Sequence, residues 1–173
     1  MGWDPEMSES LRTRLLRFAF NFYPCYRRTG ARLVYIASDF TEVRVKLPLN
    51  WRTRGYWGTT FGGSMYAAID PVLLVMLARR LGADYQVWDK AATIEFRKPG
   101  RAALYARFCI EDGEIEALHQ VLAREGRIER TYAVDLVDAG GTVHAHFTKT
   151  LHLRDRRVAQ ASVRDAAAMP AAQ

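Results

Sequence analysis

Hydrophobic positions recur along this chain with two periods. Residues 8–22, SESLRTRLLRFAFNF, place Leu11, Leu15, Phe18 and Phe22 at helical spacing behind a Ser8 or Ser10 cap, and Pro24 ends that element. TEVRVKL then alternates strictly, with Val43, Val45 and Leu47 on one side and Glu42, Arg44 and Lys46 on the other, as a half-buried strand does. RLVYIAS before it reads as its hairpin partner across Ser38 and Asp39. Residues 50–60 read as loop, and residues 62–78 follow as a helix apolar on every face, which must be covered all round. ATIEFR and ALYARFCIE return to the period of two. A helix from Asp112 as cap to Gly126 as stop lines up Ile115, Leu118 and Leu122. RTYAVDLVDAGGTVHAHFTKTLHLR reads as a hairpin turning at residues 138–141.

Strands joined by hairpins favour an antiparallel sheet. One such sheet curling around the apolar helix satisfies both patterns, so the expected class is α+β. Residues 1–155 read as a single domain with an N-terminal helix, and residues 156–173, rich in Ala and short polar residues, as a frayed tail.

Composition narrows the class. Hydrophobic content of 49% with 25% charged residues over 173 positions suits one globular domain with a real core. No run of 18 apolar residues predicts a membrane span, and the acidic N-terminus lacks the apolar region of a secretory signal. Cys25 and Cys109 show neither metal nor disulfide-framework spacing, which predicts a reduced, cytoplasmic protein with buried thiols. The net charge is +6, with Arg supplying 21 of 25 cations, spread along the chain. No nucleic-acid-binding signature accompanies them, and a mildly basic surface also suits a phosphorylated small molecule.

GTTFGGSMYAAID, residues 58–70, carries the candidate chemistry. Glycines at a helix start let a ligand oxygen reach unpaired N–H groups without meeting a Cβ, which is how an oxyanion is held. Asp70 lies on the same face as Gly63, about 10 Å along the axis, so neither serves the other within one chain. A two-fold pairing of antiparallel helices would bring a partner's Asp70 opposite Gly63. Two plainer readings stand beside this one. The glycine pair also suits a loop-to-helix joint, and Asp70 before Pro71 suits the cap of a new helix. A carboxylate within SMYAAIDPVLLVML is costly unless paired or used. With no cation in that run, Asp70 is expected to be partly desolvated and to lack a salt-bridge partner.

FGGSMYAAID resembles the His-Gly-Gly pattern, with an acid seven residues on, of hotdog-fold acyl-CoA thioesterases of the phenylacetate-pathway type. LPLNWRTRGYWGTTFGGSMYAAIDP, VWDKAATIEFRKPGRAALYARF and VDAGGTVHAHFTKTLHLR resemble an uncharacterised thioesterase-like branch of that superfamily, over about residues 14–154. The resemblance implies a hotdog fold, with Asp70 as general base or nucleophile and the Gly63 N–H as oxyanion donor. Asn50, Thr60, Phe61, Gly62 and Tyr66 make up the implied substrate-binding set, with Phe61 standing where the pattern has histidine and Leu74 where some relatives carry a hydroxyl. The implied activity is hydrolysis of an acyl-CoA thioester at a dimer-interface site, in a homodimer or tetramer, with coenzyme A as part of the substrate and no other cofactor. The alternative is a non-catalytic acyl-CoA or lipid-binding protein of the same fold. A hydratase ranks lower, since no histidine lies in the loop before the helix.

Arg97 and Lys98, in FRKPGR, are where the resemblance implies coenzyme A phosphates; from the charges alone a solvated strand end is the favoured reading. His144, His146 and His152 share a polar strand face, without the acid or cysteine that would complete a metal site, so they are expected to face solvent. Trp51, Tyr56 and Trp57 either wall a pocket or close the end of the sheet. Arg12, Arg14 and Arg17 beside Leu and Phe would permit a membrane-surface role for the first helix, though packing on the domain is the expectation.

Overall fold

The computed structural model describes residues 9–158. Ser10 caps α1 (Leu11–Phe22) by accepting from the Thr13 N–H. Pro24 opens a second short helix, α2 (Pro24–Thr29), which Gly30 ends at φ 83°. The order continues as β1 (Arg32–Ile36), β2 (Glu42–Leu47), α3 (Gly62–Ile69), α4 (Val72–Leu81), β3 (Tyr85–Phe96), β4 (Leu104–Cys109), α5 (Asp112–Glu125), β5 (Arg127–Val137) and β6 (Val143–Asp155). The strands form one six-stranded sheet in the order β1-β2-β4-β5-β6-β3, with every neighbouring pair antiparallel. It curls around α3 and α4. Val45, Leu47, Leu104, Phe147 and Leu151 close on Met65, Ala68, Ile69, Met76 and Leu77, none more than 4% exposed. This is the α+β architecture expected, a curled antiparallel sheet around central helices.

The local signals at the turns hold. Gly126 stops α5 in the left-handed region at φ 70°, and Gly141, at φ 83°, turns the β5–β6 hairpin. Glu111, rather than Asp112, occupies the N-cap of α5, with no side-chain cap bond. β3 begins at Tyr85, well before the alternating ATIEFR stretch.

Five expectations change. The central helix is two helices, because Pro71 has no N–H to continue the ladder and α4 restarts with Val75 N–H donating to the Pro71 carbonyl. Nor is it covered all round: Gly63 and Tyr66 are exposed and Asp70 half-buried, so the face at i, i+3, i+7 of α3 lies open. The stripe Leu11, Leu15, Phe18 and Phe22 points to solvent, while α1 packs through Thr13, Leu16 and Phe20. The thiols of Cys25 and Cys109 are exposed and free, Cys109 standing on the outward phase of β4. β2 is covered on both faces, because Glu42 and Arg44 bury themselves in a network with Arg107. Arg156–Val158 form a helical turn; the rest of the expected tail lies outside the described residues.

Candidate active site

The start of α3 is held rigidly from the loop side. Thr60, 7% exposed, sends both its N–H and its hydroxyl to the Gly100 carbonyl, at 2.8 and 3.3 Å. Phe61 N–H donates to the Thr53 carbonyl at 2.8 Å. Asn50 organises the same loop, its side-chain oxygen accepting from Arg52 N–H at 2.9 Å and its N–H donating to Thr53 Oγ1 at 3.0 Å. Thr60 and Asn50 therefore shape the loop, and the structure does not bring their side chains together with Asp70.

Phe61 occupies the N-cap of α3 and supplies no side-chain acceptor, so the first N–H groups of the helix, those of Gly62 and Gly63, have no side-chain cap. A side chain at either position would meet an aromatic ring. A Cβ on Gly62 would come 2.8 Å from the Phe96 ring, and one on Gly63 would come 2.4 Å from the Phe61 ring. Phe61 and Phe96 are themselves 58% and 59% exposed, so both rings sit at the edge of the open face.

At the other end of α3, Asp70 remains helical (φ −48°, ψ −52°), with its N–H bonded to the Tyr66 carbonyl at 3.1 Å. Its carboxylate does not cap α4. Lys149 Nζ lies 2.7 Å from Asp70 Oδ1 and 3.0 Å from Asp89 Oδ1, and it also donates to the Asp70 carbonyl. This corrects the expectation of an unpaired carboxylate: the cation comes not from the surrounding helix but from β6, across the core. The lysine side chain is 5% exposed, the two carboxylates 36% and 38%. The Tyr66 hydroxyl, one turn before Asp70, bonds to the same carboxylate. Burial, and then that bond and the negative charge, push its pKa up to about 12. The ammonium is thus the sealed member of the cluster, and the acids are its accessible side.

Sequence reasoning missed Lys149 and Asp89. The signal for Lys149 was present, since it shares the phase of Ala145, Phe147, Leu151 and Leu153, all buried. A cation on the inward phase of a strand asks for a buried anion.

The remaining candidates lie apart from this cluster. Arg97 and Lys98 directly follow β3, their N–H groups both donating to the His144 carbonyl. The Arg97 guanidinium is paired with Glu95 at 2.7 Å, both about half exposed. His144 is buried rather than solvent-facing, with its ring between Asp138 Oδ2 (3.1 Å) and the Lys98 carbonyl (3.2 Å). His146 pairs with Asp135 at 2.7 Å, and His152 stacks on Trp88 at 4.4 Å. Among the described residues, no group of three or more His, Cys, Asp or Glu side chains converges as metal ligands would. No described helix is long and apolar enough to cross a membrane. An apolar cavity of about 230 Å³ lies beneath α1, against Leu33, Val43, Val72 and Met76, and neither Gly63 nor Asp70 lines it.

Residues 12–153 match the family model described as a domain of unknown function, DUF4442. No curated protein matches the chain. Its fold is similar to that of a Pseudomonas aeruginosa protein of unknown function described as a probable thioesterase, with TM-score 0.76 and 19% identity over 82% of this chain and 95% of that one. It is similar also to a thioesterase of Haemophilus influenzae, with TM-score 0.62 and 12% identity over 86% and 93%. The PaaI protein from the phenylacetic acid degradation operon of E. coli gives TM-score 0.58 and 15% identity over 81% and 91%. At these identities the likeness is one of fold. The chain belongs to the DUF4442 family and is built on the hotdog fold of thioesterase-like proteins.

Proposed function

We propose that the protein is an acyl-CoA thioesterase-like hydrolase whose site is shared between two copies of the chain. One observation carries the reading: the open face of α3 presents an uncapped, glycine-lined helix start and an accessible carboxylate held from beneath by Lys149. In the reaction, Asp70 takes a proton from water and the oxygen attacks the thioester carbonyl carbon. The Gly63 N–H and the α3 dipole receive the charge that develops on the carbonyl oxygen. Collapse breaks the carbon–sulfur bond, and the proton passes from Asp70 to the departing thiolate, leaving a free acid and the coenzyme A thiol. Lys149 and Tyr66 keep the carboxylate aimed outward. Gly63 and Asp70 lie about 10 Å apart along one helix, so each is completed by the other's counterpart in a homodimer or a dimer of dimers. β3 suits that role, being 12 residues long, at the edge of the sheet and exposed along most of its length. Arg97 and Lys98, at its end, would hold the coenzyme phosphates. Two exposed free thiols suit a reducing, cytoplasmic setting.

Phe61 in place of the pattern's histidine favours a second reading, an acyl-CoA-binding protein without turnover. A panel of acyl-CoAs, assayed for binding and for thiol release, separates the two, and binding without release ends the hydrolase reading. On that reading Asp70→Asn should lower turnover about 10²–10⁴-fold. Subunit mixing tests the shared site. Asp70→Asn and Gly63→Val proteins, each inactive alone, should recover about a quarter of wild-type activity when unfolded and refolded together, because half of the random dimers carry one intact site. No recovery, with mixed dimers demonstrated, would leave each site within one chain.

A further inference from the structure

We infer that the outer face of α1, with the neighbouring groove, docks on an anionic phospholipid bilayer; this stands independently of the hydrolase reading. α1 has two apolar sides. Leu16 and Phe20 close on the domain beside Thr13, which is fully buried. On the opposite side Leu11, Leu15, Phe18 and Phe22, at i, i+4, i+7 and i+11, are 77%, 70%, 61% and 53% exposed. Tyr23, 63% exposed, follows at the C-cap, and Trp51, 81% exposed, stands with Phe22 around a groove that also holds Arg27, Arg28 and Arg52. Scattered exposed apolar residues need no explanation, but a continuous line of them marks a surface that meets something.

Charge identifies what it meets. No acid occurs between Glu9 and Asp39, nor between Glu42 and Asp70, while those two stretches hold six and four cations. Arg17 and Arg44 pair with Glu9 and Glu42. Among the described residues, Arg12, Arg14, Arg27, Arg28 and Arg52 have no carboxylate within ion-pair distance. Arg12 and Arg14 flank the apolar line by about a quarter-turn on either side. The Arg27 and Arg52 guanidinium groups lie over the Phe22 and Trp51 rings, at 5.6 and 4.8 Å, so each cation is held beside an exposed aromatic ring.

A second copy of this face would set like-charged arginines against one another. A soluble nucleotide would fill the groove yet leave Leu11, Leu15 and Phe18 in water. An anionic bilayer satisfies both halves: the acyl boundary takes the Leu and Phe side chains, the rings of Tyr23 and Trp51 sit at headgroup level, and lipid phosphates take the guanidinium groups.

The test is co-sedimentation of the full-length protein with vesicles of phosphatidylcholine alone or with about 30% phosphatidylglycerol, at low and raised salt. The protein should pellet with the anionic vesicles, much less with the neutral ones, and less at raised salt. Leu15→Ser with Phe18→Ser should weaken binding about tenfold or more. Arg27→Gln, Arg28→Gln and Arg52→Gln together should weaken it about 100-fold. All five side chains are exposed, so unchanged thermal unfolding should confirm that the variants keep the fold. Absence from anionic vesicles, or binding that both variants retain, overturns the inference. So does a change of oligomer mass in the Leu15/Phe18 variant with no vesicle binding, which makes the face an interface between copies. Binding of free adenosine bisphosphate that depends on the three arginines, again without vesicle binding, makes the groove a nucleotide subsite and overturns it equally.

Discussion

Lys149→Met removes the one charge on which the candidate site rests while keeping the length and apolar volume of the side chain. The ammonium sits 2.7 Å from Asp70 Oδ1 and 3.0 Å from Asp89 Oδ1, sealed from water, so the variant leaves two carboxylates facing an uncharged position. Breaking a wholly buried pair this way costs about 3–5 kcal/mol. Here the acids are 36% and 38% exposed and keep part of their hydration, which brings the expected loss to about 2–3 kcal/mol. Urea unfolding at neutral pH reads it. Asp89→Asn and Asp70→Asn each leave Lys149 with one carboxylate and should cost under about 1 kcal/mol, so Asp70→Asn is a clean probe of turnover. Combining Lys149→Met with Asp89→Asn removes the like-charge repulsion and should return part of the lost stability, a coupling that the double-mutant cycle measures. Turnover of Lys149→Met should fall about 10²-fold as Asp70 loses its anchor. A Lys149→Met protein with the wild-type midpoint, or one no more stable after Asp89→Asn, would refute the three-charge cluster.

Gly63→Ala meets the Phe61 ring at 2.4 Å, but that ring is 58% exposed and can swing aside; stability should change by under about 1 kcal/mol, while thiol release falls if the Gly63 N–H meets the substrate. Gly30→Ala has no such escape, since it combines φ 83° with a Cβ 2.3 Å from Thr53 Cγ2; thermal unfolding should register about 1–3 kcal/mol. Tyr26→Phe strips the buried hydroxyl that donates to the Ala68 carbonyl at 3.0 Å, a loss of about 1 kcal/mol. The Arg107 hydrogen bond, with Arg44 beside it, outweighs burial and holds the Glu42 carboxyl below the usual carboxylate range. Its contribution is therefore complete above the unfolded value of about 4.3 and is lost as pH falls through the lower folded value. The stability gap between wild type and Glu42→Gln should close on acidification, and a gap independent of pH would contradict this.

What was legible in the sequence was legible for local reasons. Gly126 and Gly141 announce a helix stop and a hairpin because only their left-handed φ is needed there, and Ile115, Leu118 and Leu122 announce a face because α5 has only one apolar side. α1 was misread because it has two. Periodicity finds the Leu11 stripe but cannot say that the sheet takes Leu16 and Phe20 instead; docking decides that. Lys149 could have been found from its phase in β6. Asp89 could not, because its place beside Lys149 depends on the β3–β6 register. That register shifts between Asp89 and Ala91, pairing Asp89 with Leu151 and Ala92 with Lys149. No local pattern records a register set by a strand more than fifty residues away.

The asymmetry of burial is the ground for assigning chemistry to Asp70. An ion pair placed for stability gains most when both partners are sealed and fully bonded, and apolar residues of the same volume often serve the fold as well or better. Here only the lysine is sealed. It comes from the sheet side, Tyr66 stands one turn back on the face that Asp70 shares with Gly63, and the Asp70 side chain still keeps 36% exposure. Pro71 contributes to the same end: by interrupting the helix it leaves the Asp70 carbonyl for Lys149, so the anchor grips main chain and side chain together. A carboxylate fixed at two points from within and open to water on its free side is restrained in direction but not in access, which is what general-base work on a bound thioester requires. The unpaired β3 edge runs beside that opening, with Phe96 against Gly62 and Asp89 on Lys149. Whatever pairs with β3 therefore also closes the face of α3, and on this geometry assembly and activity should be lost together.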